Sequence, residues 1–233
     1  MIFNLPKEII FPPVELAEPN GILAVGGDLS VERLIAAYRQ GIFPWFSEGS
    51  PILWWSPDPR FILYPGEVKI SKSMRQLLRR SVFSITYDQA FGDVIRGCRS
   101  RRKAQDGTWI TDDMEDAYIE LHGLGCAHSV EVWHKGALAG GLYGVSIGRM
   151  FFGESMFTYV SNASKAALIT LCVKLQSLGF DCIDCQVYTK HLSSMGGRSI
   201  SRDAFMSLIS SSLKHKTIQG NWGAIEKFSA ALN

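Results

Sequence analysis

The chain has 233 residues, 46% of them hydrophobic and 20% charged, with a formal net charge of +2. That is enough for one large domain or a small and a medium one, in the ordinary composition of a globular protein, which sets aside disordered and fibrous classes. No apolar run approaches the ~20 residues that cross a bilayer, and the balance is too even for a generally basic, nucleic-acid-coating protein.

Residues 1–62 are rich in Pro, Gly and Trp. Phe11-Pro12-Pro13 and Glu18-Pro19-Asn20-Gly21 are turn chemistry. Ser30 is placed to cap a helix over Glu32 to Arg39, which Gly41 stops. Phe43-Pro44-Trp45-Phe46 and Leu53-Trp54-Trp55-Ser56-Pro57-Asp58-Pro59-Arg60 follow, and prolines this dense suit neither a helix nor a central strand. A small, irregular N-terminal domain with aromatic-rich loops is expected. Its first residues carry no basic segment ahead of an apolar core, so no export signal is expected.

Residues 63–233 read differently. Short helices are expected over Ser71 to Arg80 and Asp88 to Arg99, with a strand at Ser84 to Tyr87 between them and a basic loop at Ser100 to Asp106 after them. Thr111 caps a helix running to about Leu124. Ser129 to Trp133, Leu138 to Ser146 and Arg149 to Ser155 form an antiparallel meander with turns at His134-Lys135-Gly136 and near Gly148. Ser164 to Leu178 is an apolar helix, Phe180 to Val187 a buried strand and Arg202 to Leu213 a last helix. This order implies an α+β domain with a mostly antiparallel sheet.

Charge is unevenly placed. From Arg60 to Lys103 eleven basic residues face three acidic ones, a local +8 that leaves −6 on the remainder. Lys72, Arg75 and Arg79 share one helix face. With Arg80, and with Arg99, Arg101 and Arg102 of the basic stretch, they are candidates for binding nucleic-acid phosphates. A solvated surface is the other reading of the same charges.

Five cysteines (Cys98, Cys126, Cys172, Cys182, Cys185) make an odd number without framework spacing, which with no export signal points to reduced thiols in the cytoplasm. Cys182-x-x-Cys185 is one pair inside a strand, with no second pair to complete a metal site, and the five histidines lack ligand spacing. No metal is expected, and His128 is read as structural.

The long motifs carry more. They are Asn20-Gly21-Ile22-Leu23-Ala24-Val25-Gly26-Gly27-Asp28-Leu29, Gly41-Ile42-Phe43-Pro44-Trp45-Phe46, Leu53 to Arg60, Gly107-Thr108-Trp109-Ile110-Thr111, His128-Ser129-Val130-Glu131-Val132-Trp133, Gly153-Glu154-Ser155-Met156-Phe157, Asn162-Ala163-Ser164-Lys165 and Asp184-Cys185-Gln186-Val187. Together, from Phe11 to about Phe205, they resemble the leucyl/phenylalanyl-tRNA–protein transferases of bacteria. The resemblance implies a small N-terminal domain followed by a domain like the GCN5-related acetyltransferases. It implies an aminoacyltransferase, working without a cofactor, that moves Leu or Phe (less well Met) from Leu-tRNA or Phe-tRNA to acceptor proteins with N-terminal Arg or Lys, marking them for degradation. Trp45, Trp109 and Tyr118 resemble residues that hold the terminal adenosine. Leu142, Phe151, Leu168, Leu175 and Ile183 match an apolar amino-acid pocket, and plain core packing fits their hydrophobicity equally. Glu154, Asp184 and Gln186 match the polar centre. Glu154 would draw the cationic acceptor side chain, and Asp184 would polarise or place Gln186. Thr189 stands where some members carry an Asn that helps hold the acceptor.

The physical chemistry agrees. A carboxylate and an amide two apart on a strand share a face. Aminolysis of an ester is downhill, and an α-amine of pKa ~7.7–8.0 is partly neutral at cytosolic pH, so positioning can supply much of the rate. An acyl-CoA-dependent N-acetyltransferase is the rival enzyme, although no glycine-rich pyrophosphate loop is evident. A non-catalytic RNA-binding protein is the rival from another class.

Overall fold

The computed structural model describes residues 2–103 and 110–225, the side chains of Arg102 and Lys103 excepted. In chain order the strands and helices are β1 (Phe3–Leu5), β2 (Ile22–Gly26), α1 (Val31–Arg39), β3 (Phe43–Pro44), β4 (Leu53–Trp55), β5 (Arg60–Leu63), α2 (Lys72–Arg79), β6 (Ser84–Tyr87), α3 (Phe91–Lys103), α4 (Asp112–Gly123), β7 (Ala127–His134), β8 (Ala137–Ile147), β9 (Met150–Thr158), α5 (Ala163–Ser177), β10 (Cys182–Asp184), α6 (Lys190–Ser194), β11 (Arg198–Ile200) and α7 (Arg202–Ser212).

Local chemistry sets many of these boundaries. The side chains of Ser30, Ser71, Thr111 and Ser201 each accept a backbone N–H of the first turn they precede, so four helices start where an oxygen satisfies an orphan donor. Between β7 and β8 only Lys135 and Gly136 intervene, both with positive φ, which matches the right-handed twist of a tight hairpin. The meander and the last two long helices fall within two or three residues of their expected places.

The N-terminal region is more regular than expected. β1, β2, β4 and β3 form a four-stranded sheet in that order. Pro44 is accommodated because β3 is a two-residue edge strand. Trp54 is fully buried, donates its indole N–H to the Gly26 carbonyl at 2.8 Å and meets Phe11 edge-on.

The larger sheet has the order β11-β5-β10-β9-β8-β7-β6 and is antiparallel except at β9–β10. The chain is thus α+β with a mostly antiparallel sheet. The division expected after residue 62 falls inside β5, which pairs with the larger sheet. One hydrophobic core runs across that point, from Phe11, Leu34 and Trp54 to Val94, Tyr118 and Phe152. A second lies on the other face, under α5 and Trp222. A Cβ on Gly140 would stand 2.7 Å from that of Ala163, so the glycine lets α5 settle directly onto β8.

Two expectations are corrected. The basic stretch from Ser100 is helical as far as Lys103, because α3 continues. Its Arg96 and Arg99 side chains reach acids on α4, which ties the two helices together. The strand expected over Phe180 to Val187 is only Cys182–Asp184. Gln186 has φ +63°, a left-handed conformation that no strand continues through. Beyond Asp184 the chain stays with β5, where Cys185 N–H donates to the Phe61 carbonyl and Phe61 N–H to that of Gln186. It thereby leaves β9, and the sheet opens.

Candidate active site

The opening between β9 and the chain beyond β10 holds a cavity of about 460 Å³. Gly153 to Met156 line one side and Cys185 to Val187 the other, with α5 and α6 behind and Phe43, Pro44 and Trp45 at the front. Leu142, Phe151, Leu168 and Ile183, expected to form an apolar pocket, all line it. Leu175 does not. It sits one helical turn deeper in the core, and Leu171 takes its place in the wall. Trp45, 39% exposed, lines the cavity. Trp55 buttresses it, with ring centroids 5.5 Å apart and its indole N–H on the Trp45 carbonyl at 2.6 Å. Trp109 lies outside the described residues.

Tyr118 is placed otherwise than expected. It is 0% exposed and absent from the cavity wall, because α4 carries it into the core, edge-on to Tyr143. Its hydroxyl donates to Glu154 Oε2 at 3.0 Å. From α1, Tyr38 donates to Glu154 Oε1 at 2.8 Å, and the two tyrosine hydroxyls touch. Gln186 Nε2 donates to the same Oε1 at 2.8 Å. Glu154 is 6% exposed, and its three internal donors are all neutral. Burial is the chief cause that pushes its pKa up to about 7; the tyrosine hydroxyls oppose it, nearby Asp184 adds to it, and Gln186 opposes it. Burial and the Glu154 charge hold both tyrosines well above the usual phenol value, so they remain donors.

Asp184 is completely buried and lies outside the cavity wall. Its carboxylate takes a two-pronged ion pair from Arg60, Nε at 2.8 Å and Nη2 at 2.6 Å. The guanidinium lies between the Phe43 and Phe205 rings, 4.7 and 4.6 Å from their centroids. Asp184 Oδ1 also accepts Gln186 N–H at 2.9 Å. Asp184 and Gln186 are therefore coupled through that backbone N–H in a left-handed bend and not through the shared strand face that was expected. The bend turns the carboxamide toward Glu154.

Thr189 lines the cavity, but its hydroxyl oxygen is occupied in capping α6, accepting Leu192 N–H at 3.1 Å. His191 lines the cavity with its Nε2 buried and unpartnered. The residues that sequence reasoning missed are Tyr38, a face residue of a predicted helix with no sequence link to Glu154, and Arg60 as partner of Asp184. Arg60 counts toward the basic segment, yet it heads the apolar run Phe61-Ile62-Leu63. That placement is the signal that could have marked it as buried.

The basic candidates separate into groups. Lys72, Arg75, Arg79 and Arg80 line one shallow depression on α2 with Gln76. Arg99 is bound to Asp112 and, at 3.3 Å, to Glu115. Arg101 lies 5.9 Å from the Tyr159 ring centroid, and the Arg102 side chain is outside the described part. Among the described residues no helix is long and apolar enough to cross a membrane.

Residues 62–210 match the sequence model of the leucyl/phenylalanyl-tRNA protein transferase family, and residues 27–58 match that of its N-terminal domain. A leucyl/phenylalanyl-tRNA–protein transferase of Syntrophobacter fumaroxidans is 58% identical over 222 residues, 95% of each chain. One from Syntrophus aciditrophicus is 59% identical over 222 residues, 95% of this chain and 93% of that one. Among solved structures, L-PGS from Bacillus licheniformis is 10% identical, with a TM-score of 0.42 over 84% of this chain and 72% of that chain.

Proposed function

The chain belongs to the leucyl/phenylalanyl-tRNA–protein transferase family, and on that premise we propose that the cavity seats the leucyl or phenylalanyl side chain while Glu154 and Gln186 meet the amine of the acceptor protein. The enzyme is an aminoacyltransferase: it moves leucine or phenylalanine from charged tRNA to a protein. The observation that carries the site is the convergence, at one opening in the sheet, of an apolar cavity and a buried carboxyl–carboxamide pair. A volume of about 460 Å³ lies within the range of small-ligand sites and suits one large apolar side chain.

Leu142, Phe151, Leu168, Leu171 and Ile183 are proposed to hold that side chain, with Trp45 stacking the terminal adenosine at the mouth, an interaction worth ~1–3 kcal/mol per base. Trp45→Ala is then expected to weaken leucyl-tRNA and a leucyl-adenosine analogue by similar factors, read as KM for each donor. Asp184, outside the wall, acts by fixing the Gln186 bend. Gln186 donates through Nε2 to Glu154, which leaves its carboxamide oxygen to accept the incoming amine. Holding amine and ester together supplies effective molarities of ~10⁵ M or more, so orientation can carry much of the rate.

Glu154 is the one carboxyl in the wall among the described residues, so an acceptor beginning with Arg or Lys, which carries a second positive charge beside its α-ammonium, is drawn toward it more strongly than one beginning with Ala. The basic face of α2 would meet the tRNA backbone, and the reaction would run in the cytosol, where charged tRNA is made. The test is incubation with radiolabelled leucyl-tRNA and peptides beginning with Arg, Lys or Ala. Label is expected in the first two. Label that stays on the tRNA with every peptide, or a protein that acylates peptides from acetyl-CoA, overturns the reading.

A further inference from the structure

An acceptor beginning with Arg brings two cations to the cavity, its α-ammonium and its guanidinium. Only the first can release a proton near neutrality, with pKa ~7.7–8.0, whereas the guanidinium stays protonated throughout. It must do so, because an ammonium has no lone pair with which to attack an ester.

Glu154 stands where that proton can go. Its carboxylate has about four acceptor places, and three are filled by Tyr38, Tyr118 and the Gln186 amide. The remaining place is on Oε2, which takes only Tyr118. All three partners are neutral. The nearby Arg60 guanidinium is taken up by Asp184, whose negative charge weighs further against an ionised Glu154. The group is thus held by three elements (α1, α4 and the bend after β10), lines the cavity beside Gln186, and lacks a counter-ion. We propose that the acceptor's α-ammonium is that counter-ion and that Glu154 is the base which deprotonates it, resting on the transferase reading above.

The step balances. The ammonium gives one proton to the Glu154 carboxylate and becomes a neutral amine. The amine's lone pair forms the new C–N bond at the ester carbonyl. As the tetrahedral centre collapses, the bond to the ribose oxygen breaks and that oxygen takes a second proton from the nitrogen. The amide keeps the third, and Glu154 returns its proton to solvent. A carboxyl raised to about 7 lies within roughly a unit of the amine, so the first transfer is close to thermoneutral. Among the described residues the titratable and charged groups around it are Tyr38 on α1, Tyr118 on α4, Tyr143 on β8, Arg60 on β5, Asp184 on β10, Cys185 just after β10 and His191 on α6.

The experiment compares wild type with Glu154→Gln, using leucyl-tRNA and two acceptors: a peptide with an ordinary N-terminal amine, and the same peptide carrying an aminooxy group, whose nitrogen is already neutral at pH 7. With the amine, Glu154→Gln is expected to lose about 100-fold in kcat at pH 7, the scale of a missing general base. That deficit should narrow roughly tenfold between pH 7 and 9, as the amine passes its own pKa of about 8. With the aminooxy peptide the deficit should stay within about tenfold at every pH. Equal deficits on both acceptors at all pH values would show that Glu154 is scaffold only and sink the proposal. Should Glu154→Gln fail to fold, Tyr118→Phe serves. Removing a donor from the ionised carboxylate should move the acid limb of acceptor kcat/KM upward by roughly one pH unit, and an unmoved limb overturns the assignment. If wild type labels neither acceptor, the transferase reading itself has failed.

Discussion

A carboxyl kept from water without a cation beside it makes folding respond to pH in a defined direction. The pKa of Glu154 rises from 4.5 to about 7 on folding, so the protonated form is the one the fold favours. Its contribution is complete below pH 4.5 and is lost as pH rises through 7. Gln at this position has no proton to lose. Between pH 4.5 and 8, wild type should therefore lose roughly 3 kcal/mol of stability relative to Glu154→Gln, a difference read from urea midpoints at the two pH values. A difference that does not change with pH would mean that the carboxyl carries no such burden. On the apolar side, Leu142 and Ile183 face the cavity from two strands. Leu142→Phe or Ile183→Phe should reduce transfer of Phe more than of Leu, by roughly ten-fold, since one side-chain increment is worth ~1–3 kcal/mol. An unchanged Phe/Leu ratio in a folded variant would return both to ordinary core. These apolar positions were named from their match to the family's pocket on strands that the apolar pattern locates, although the long motifs stop short of both. Tyr38 was not, because its link to Glu154 spans 116 residues and leaves no mark in local sequence.

Helices and hairpins announced themselves through caps and turn residues, which act over three or four positions. The strands of the small sheet did not. Three-residue β1 and β4 and two-residue β3 are too short to show alternation, and their prolines and tryptophans read as loop. The bend at Gln186 was equally silent, since a left-handed Gln arises from tertiary ties: the Asp184 carboxylate on its N–H and the Phe61 N–H on its carbonyl. The basic helix shows the opposite balance, its cationic face legible from the spacing of Lys72, Arg75 and Arg79 alone. Replacing Lys72 and Arg79 by Gln should raise KM for aminoacyl-tRNA and flatten its salt dependence by about one unit of log–log slope for each phosphate no longer neutralised. A leucyl-adenosine donor should be little affected. Arg99→Gln should change the slope less, because that guanidinium is held by Asp112 and Glu115. Equal losses with both donors would make the α2 face structural.

The chain closes on itself at two places far apart in sequence. Near the C-terminus Trp222 is fully buried, stacked on His128 at 3.8 Å; its N–H reaches Asp88 at 2.7 Å and its carbonyl accepts Lys174 at 2.8 Å. Trp222→Ala should cost about 3–5 kcal/mol in urea unfolding, the range for deleting a buried aromatic ring. A loss below about 1 kcal/mol would show that the segment is only laid on the surface. The second closure is the Arg60 guanidinium, gripped by Asp184 and by the rings of Phe43 and Phe205. On a ribosome, residues near 60 emerge long before their partners. Asp184 follows Arg60 by 124 residues, which at ~5–20 residues per second is roughly 6–25 s. Phe205 comes later still, on a helix whose first residue, Arg202, clasps the Ser56 carbonyl with its guanidinium. A growing chain thus exposes Arg60 without its carboxylate partner for that interval. The clasp that holds Asp184, and through it the Gln186 bend, can close only after Asp184 and then Phe205 have followed Arg60 out of the ribosome.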